Sequence, residues 1–279
     1  MAEADRSADR DLPLDAHLHT DLSPDSGVPI DAYCEEAVRR DIPEIAITDH
    51  VDFDPLDPAY RYTDFATRER VVRDAADRWA AHGLTVRFGV EITYGRRWEE
   101  GIRDHLARHD YDYVIGSVHD WPGSPYRDIA ALPGWMAGRS LGEIVEPYFA
   151  EVAAAARSEL FDTIGHLDVV KRYIHPQVTT QDLADAPELY EPVLRALVES
   201  GSGLEVNTSG LRQSPREMYP SPAIVARYRE LGGRAVTVGS DAHRLPSFAY
   251  GLAAGYRAAA DAGCDEVEIV RRQSGARLA

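Results

Sequence analysis

Short apolar runs bounded by turn residues alternate along the chain with longer segments in which apolar side chains recur every three or four positions. Seven runs read as strands: Leu12–His17, Glu44–Thr48, Thr85–Ile92, Tyr113–Val118, Thr163–Leu167, Gly203–Asn207 and Ala235–Gly239. Between them the period becomes helical. Ile30, Tyr33, Cys34, Ala37 and Val38 share one face, which turns Cys34 into the core, and Val71, Val72, Ala75, Ala76 and Trp79 form another ahead of Gly83. The same plan recurs at Ile144, Val145, Tyr148, Phe149 and Val152, and at Val193, Leu194, Leu197 and Val198 before Gly201. Ser221 followed by Pro222 opens a further helix that stops at Gly232.

Repeated strand–helix units predict an α/β protein with a parallel sheet, because parallel neighbours need crossover connections. Seven units suggest a closed or nearly closed barrel; an open doubly wound sheet is the alternative that a strand count leaves standing. No linker or low-complexity tract divides the chain, so residues 12–279 are expected to form one domain behind a polar, disordered tail, residues 1–11.

Composition narrows the classes. Thirty basic residues against 47 acidic ones leave a net charge of −17, which disfavours an electrostatic grip on nucleic acid or anionic membrane. The longest stretch without a formal charge, Leu245–Tyr256, has twelve residues, against the roughly 20 that a spanning helix needs. With no apolar h-region near the N-terminus, the expected location is the cytoplasm. Two cysteines, Cys34 and Cys264, are too few for a disulfide scaffold.

The chemistry lies in the histidines. The first strand ends in His17-Leu-His19, whose imidazoles share one side of an extended backbone. Later strands lead to Asp49-His50, Glu91, His119, His166 and Asp241-Ala-His243. Six of ten histidines therefore fall at or just past the C-terminal ends of parallel strands, the edge where α/β barrels place their active sites. Alone, a His-x-His pair is more often ordinary surface or core. Six imidazoles and several carboxylates at one edge would be costly without a cation to satisfy them. His82, His105, His109 and His175 lie in helical or loop contexts and are expected to be solvated.

Eight blocks, in order, resemble the PHP (polymerase and histidinol phosphatase) family: His17-Leu-His19-Thr, Ser23-Pro-Asp25, Ile47-Thr-Asp-His50, Gly89-Val-Glu91, Gly116-Ser-Val-His119, His166 to Arg172, Leu204 to Gly210 and Gly239-Ser-Asp-Ala-His243. The blocks His166 to Arg172 and Glu205 to Gly210 look like the histidinol-phosphatase branch. The resemblance implies a distorted (β/α)7, TIM-like barrel with two or three divalent transition metals: zinc, iron, manganese or cobalt. It gives one metal to His17, His19, Glu91 and Asp241, a second to Glu91, His119 and His166, and a third to Asp25, His50 and His243. A hydroxide bridging two metals would attack phosphorus, Arg172 would bind the phosphate, and Asp241, His243 or a metal-bound water would protonate the leaving alkoxide. The implied activity is histidinol-phosphatase in histidine biosynthesis; another small phosphomonoester in a specialised pathway is the alternative. The acidic composition and full ligand set weigh against the family's exonuclease class. Histidinol phosphate carries an ammonium and an imidazole, so Asp52, Asp54, Tyr62, Tyr94, Asp120 and Trp121, all following strand ends, are further expected contacts.

Overall fold

The computed structural model describes residues 12–120, 123–264 and 269; the tail expected over residues 1–11 lies outside them. Among the described residues eight strands form: β1 (Asp15–Leu18), β2 (Glu44–Ile47), β3 (His50–Val51), β4 (Thr85–Thr93), β5 (Tyr113–Ser117), β6 (Thr163–Ile164), β7 (Gly203–Asn207) and β8 (Val236–Gly239). Every pairing is parallel. Seven strands run in the order β1-β2-β4-β5-β6-β7-β8, and the two-residue β3 pairs with the C-terminal half of β4, His50 opposite Glu91.

The two ends of this path meet. The Asp241 N–H donates to the His17 carbonyl at 2.8 Å and the His19 N–H to the Ala242 carbonyl at 3.0 Å. Backbone bonds between the first and last strands leave no free edge where they form, so the sheet is a nearly closed TIM-like barrel and the open-sheet alternative falls.

The helices in chain order are α1 (Ile30–Arg39), α2 (Phe65–Ala80), α3 (Glu99–Arg108), α4 (Leu132–Met136), α5 (Leu141–Arg157), α6 (Lys171–Ile174), α7 (Thr180–Ala184), α8 (Pro187–Ser200), α9 (Pro222–Glu230) and α10 (Leu252–Asp261). Local signals set their ends. Asp64 accepts from the Thr67 N–H at the start of α2, Ser140 and Glu143 form a capping box on α5, and α8 ends at Gly201 with φ of 75°. Tyr33, Cys34 and Ala37 of α1 are buried against the barrel, as their spacing predicts. No helix among the described residues is long and apolar enough to cross a membrane.

Inside the barrel the floor is packed and the upper end polar. The Tyr113 hydroxyl on β5 lies 3.0 Å from Thr237 Oγ1 on β8. These strands are not neighbours, so the contact spans the interior. Leu14, Ala16, Ala46, Tyr113 and Ile115 form a small apolar cluster of their own, separate from the larger core that includes Ile45, Ile47, Phe88 and Val90.

Two histidines are not solvated as expected. His109 stacks on Phe65 with centroids 4.1 Å apart, and His105 contacts Phe53 and has Nε2 2.9 Å from the Tyr111 hydroxyl. Burial, then the neighbouring His109 and Arg108 charges, pushes the His105 imidazole down to about 4. The folded state thus refuses a proton that the unfolded chain accepts near pH 6.5, and stability falls as pH drops from about 6.5 toward 4. His105→Leu is expected to flatten this part of the melting temperature–pH curve; an unchanged slope would show that His105 does not contribute. His82 is exposed as expected, and the His175 Nδ1 lies 3.0 Å from Ser214 Oγ.

Candidate metal centre

All nine acidic and imidazole side chains singled out in the sequence converge at the C-terminal edge of the barrel. His17 and His19 come from and just beyond β1, His50 from β3 and Glu91 from β4, while His119, His166, Asp241 and His243 follow β5, β6 and β8. Asp25 reaches them from the loop after β1.

Their donor atoms group in three sets. In the first, His17 Nε2 and His19 Nε2 are 3.0 Å apart, both lie within 3.4 Å of Glu91 Oε2, and Asp241 Oδ1 is 3.9 and 3.5 Å from them. A tetrahedral ion with bonds of about 2.1 Å has ligand–ligand edges of about 3.4 Å, so this set fits a divalent cation. The second set uses the other oxygen of the same carboxylate: Glu91 Oε1 is 2.9 Å from His166 Nε2 and 3.4 Å from His119 Nε2, and those nitrogens are 3.3 Å apart. In the third, Asp25 Oδ2 lies 3.3 Å from His50 Nε2 and 2.9 Å from His243 Nε2. The sets interlock, because the His50 Nδ1 is also 3.0 Å from Glu91 Oε2 and the His19 ring stacks between His50 and His243, 4.3 and 4.1 Å away.

Electrostatics mark the same place as cation-seeking. Burial opposes charge on Glu91, yet the surrounding His50, His17 and His119 hold its carboxyl well below the usual range. Asp241 is likewise held low against burial, chiefly by His17 and His19. Burial would depress His50, but Glu91 and Asp25 push it up to about 10. His17 goes up for the same reason, through Glu205, Glu91 and Asp241, whereas burial followed by His243 and His50 drives His19 well below its ordinary value. A negative potential that draws protons onto imidazoles equally draws metal ions.

Two of these candidate ligands are backbone outliers. His166 has φ of 22° and Asp241 of 52°, a region that costs a non-glycine residue of the order of 1–3 kcal/mol. The Asp241 N–H is fixed by the His17 carbonyl at 2.8 Å and the His166 N–H by Glu205 Oε2 at 2.7 Å. The turn at His166 also explains why β6 stops at Ile164 and does not run on to Leu167.

A cavity of about 400 Å³ opens onto the cluster, lined by Asp25, His50, Glu91, His119, His166, Asp241, His243 and also Arg172 from α6. Arg172 is exposed and has no carboxylate partner among the described residues. Its neighbour Lys171 is buried and committed elsewhere, with Nζ 2.8 Å from Asp168 Oδ2 and 3.1 Å from the Met218 carbonyl. An adjoining cleft of about 350 Å³ shares Asp57, Thr93 and His119 and brings in Asp52, Asp120, Tyr94, Trp98 and the ion pair of Asp54 with Arg97. Of the further contacts expected from position, Asp52, Asp54, Tyr94 and Asp120 therefore line the cleft. Tyr62 is 51% exposed and lines neither space, and Trp121 lies outside the described residues.

Sequence reasoning assigned no role to three residues that support the ligands. Glu205 accepts from His17 Nδ1 at 2.6 Å, Asn207 donates to Asp241 Oδ2 at 3.3 Å, and Thr93 Oγ1 is 3.0 Å from His119 Nδ1. The two-residue spacing of Glu205 and Asn207 at a strand end is the same signal that marks His17 and His19.

Known proteins carry the same fold. The PHP domain model matches residues 15–209. A probable histidinol-phosphatase of Deinococcus radiodurans is 32% identical over 268 residues, covering 93% of this chain and 97% of its own length. The histidinol-phosphatase of Lactococcus lactis is 26% identical over 236 residues, 82% of this chain and 84% of that one. A crystal structure of Lactococcus lactis histidinol phosphate phosphatase, complexed with zinc, L-histidinol and phosphate, superposes with a TM-score of 0.75 at 22% identity, over 91% of this chain and 95% of that chain. With strands β1 to β7 inside the matched region and one relative alike over almost its full length, the chain belongs to the PHP family.

Proposed function

We propose that the chain is a metal-dependent phosphomonoester hydrolase that cleaves L-histidinol phosphate to L-histidinol and phosphate in histidine biosynthesis. The observation that carries this reading is the convergence of three donor sets on one cavity wall that also holds an arginine with no carboxylate partner among the described residues. The names of the Deinococcus and Lactococcus relatives support the substrate.

His17, His19, Glu91 and Asp241 would hold one divalent ion, Glu91, His119 and His166 a second, and Asp25, His50 and His243 a third; zinc, iron, manganese and cobalt all suit such donors. When bound, these ions supply an electropositive centre that acidifies water and stabilises charge on the transferring phosphoryl group. Glu91 orients two donor sets with one carboxylate. The Arg172 fork binds the non-bridging phosphate oxygens, a geometry that a lysine point charge does not reproduce. Asp241 and His243 would pass a proton to the leaving alkoxide together: with His243 Nε2 turned to Asp25, its Nδ1 carries the hydrogen, and the ionised Asp241 Oδ1, 3.3 Å away at the cavity wall, orients it. The acidic cleft beside His119 receives the cationic end of the substrate, with Tyr94 and Trp98 against its imidazole. Residues 12–279 act as one unit in the cytoplasm, a compartment that suits the buried free thiols of Cys34 and Cys264.

Arg172→Ala is expected to lower kcat/KM at least ~10-fold with metal content intact, since a charge-assisted hydrogen bond contributes about 1.5–3 kcal/mol. Loss in KM would mean that the fork grips ground and transition states alike, and loss in kcat that it grips the transition state. Unchanged kinetics on fully metallated protein would return Arg172 to an ordinary surface role.

A second reading, hydrolysis of another small amino-alcohol or sugar phosphate, draws on the match to a probable phosphatase of Caldanaerobacter subterraneus, 29% identical over 241 residues. Turnover of a phosphate panel by metal-defined protein separates the two. Histidinol phosphate is expected to have the highest kcat/KM; a sugar phosphate ahead of it would favour the second reading.

A further inference from the structure

Glu205 on β7 is fully buried directly behind the metal centre. Its Oε1 accepts from His17 Nδ1 at 2.6 Å, and its Oε2 accepts from the His166 backbone N–H at 2.7 Å and from Asn207 Nδ2 at 3.1 Å. Asn207, on the same face of β7, also donates to Asp241 Oδ2 at 3.3 Å. One carboxylate and one amide thus tie together ligands carried by β1, β6 and β8. Glycine makes the room: a Cβ at Gly239 would sit 2.4 Å from the His17 Cβ and 2.9 Å from Glu205 Oε1, and one at Gly165 would sit 2.5 Å from Ser117 Oγ and 3.4 Å from Glu205 Oε2.

We infer that Glu205 is a positioning residue that selects which nitrogen of His17 faces the metal centre and at the same time holds His166 in its left-handed backbone conformation. The inference rests on the metal-dependent reading above. Two N–H donors, from His166 and Asn207, already converge on Oε2, as suits an ionised carboxylate, and an ionised carboxylate can only accept at Oε1 as well. His17 must then carry a hydrogen on Nδ1, which directs its Nε2 lone pair into the first donor set, 3.3 Å from Glu91 Oε2. On the other oxygen, the bond to the His166 N–H offsets the strain of φ 22° and aims that ring at Glu91 Oε1.

The two tasks cannot both be done by an amide. In Glu205→Gln the amide oxygen is needed by His166 and Asn207, which leaves the NH2 facing His17 Nδ1. That nitrogen must become an acceptor, its hydrogen moves to Nε2, and the metal loses a ligand. Turned the other way, the NH2 meets the His166 N–H donor to donor.

The test is zinc affinity and stoichiometry of metal-stripped wild type, Glu205→Gln and Glu205→Asp, by competition with a chromophoric chelator, with melting curves of the stripped proteins and the cobalt(II) absorption spectrum alongside. Glu205→Gln is expected to bind zinc 10–100-fold more weakly at one or two sites and to lose intensity in the cobalt bands. Glu205→Asp keeps an acceptor for His17, though one methylene short of spanning both partners, and should regain part of the affinity. A Glu205→Gln protein that melts lower but binds zinc as tightly as wild type would reduce Glu205 to a packing role and overturn the inference. So would a Glu205→Asp protein that binds no better than Glu205→Gln, including the case in which neither variant folds. If wild type itself takes up no zinc or cobalt, the metal-dependent reading fails and the inference with it, an outcome distinct from equal binding by wild type and variant.

Discussion

Glu91→Ala is expected to lower kcat/KM at least ~10³-fold, the upper end of what removing one preorganised electrostatic group costs, and to empty both metal sites that it faces. Its Oε2 lies 3.0–3.4 Å from ring nitrogens of His17, His19 and His50, and its Oε1 lies 2.9 and 3.4 Å from those of His166 and His119. Removing it leaves five imidazoles without the carboxylate that draws them together, in a pocket where Glu91 itself is 1% exposed and water cannot substitute freely. His243→Ala is the contrast. That ring belongs to the third set, where its Nε2 lies 2.9 Å from Asp25 Oδ2, the same oxygen that His50 Nε2 approaches at 3.3 Å, so metal loss should be confined mainly to that set. Elemental analysis and turnover of both variants check the assignment, and wild-type metal content in Glu91→Ala would refute it.

Stripping the protein with a chelator is expected to abolish phosphatase turnover, and adding back zinc, manganese, cobalt or iron(II) to restore it. The reason is the concentration of like groups: three carboxylates and six imidazoles share one barrel edge with their donor atoms a few ångströms apart, and bound cations satisfy their inward-pointing lone pairs together. Metal that binds the folded state also stabilises it, by about 2.7 kcal/mol per site at a free concentration 100 times its dissociation constant. The melting temperature should therefore rise on reloading. Less than one metal per chain in fully active protein would refute a metal-dependent reaction.

The legibility of this protein follows the range of the forces involved. Strand–helix alternation is local, so β2, β4, β5 and β7 appear within a residue of where apolar runs and turn residues put them, and α1 starts at Ile30 as its face predicts. The site was legible for the same reason. In a parallel barrel every strand ends at the same edge, so residues just past strand ends meet whatever the details of packing, and nine ligand candidates could be named from position and family resemblance.

What remained hidden depends on partners distant in the chain. β6 shortens to two residues because His166 turns away, and that turn is fixed by Glu205, 39 residues on. β3 exists only because Glu91 and Ile92 of β4 lie alongside His50 and Val51. His105 and His109 look solvated in a charged helix until Phe65 and Tyr111 pack on them. The sequence by itself determined the α/β class, the edge at which the chemistry sits and the residues that supply it, because periodicity and strand-end position are properties of neighbours in the chain. Only the tertiary structure decided that the sheet closes, through bonds between His17 and Asp241 and between His19 and Ala242, and that Glu91 turns one oxygen to His17, His19 and His50 and the other to His119 and His166. Those outcomes depend on contacts between strands far apart in sequence and only a few ångströms apart in space, which no local pattern encodes.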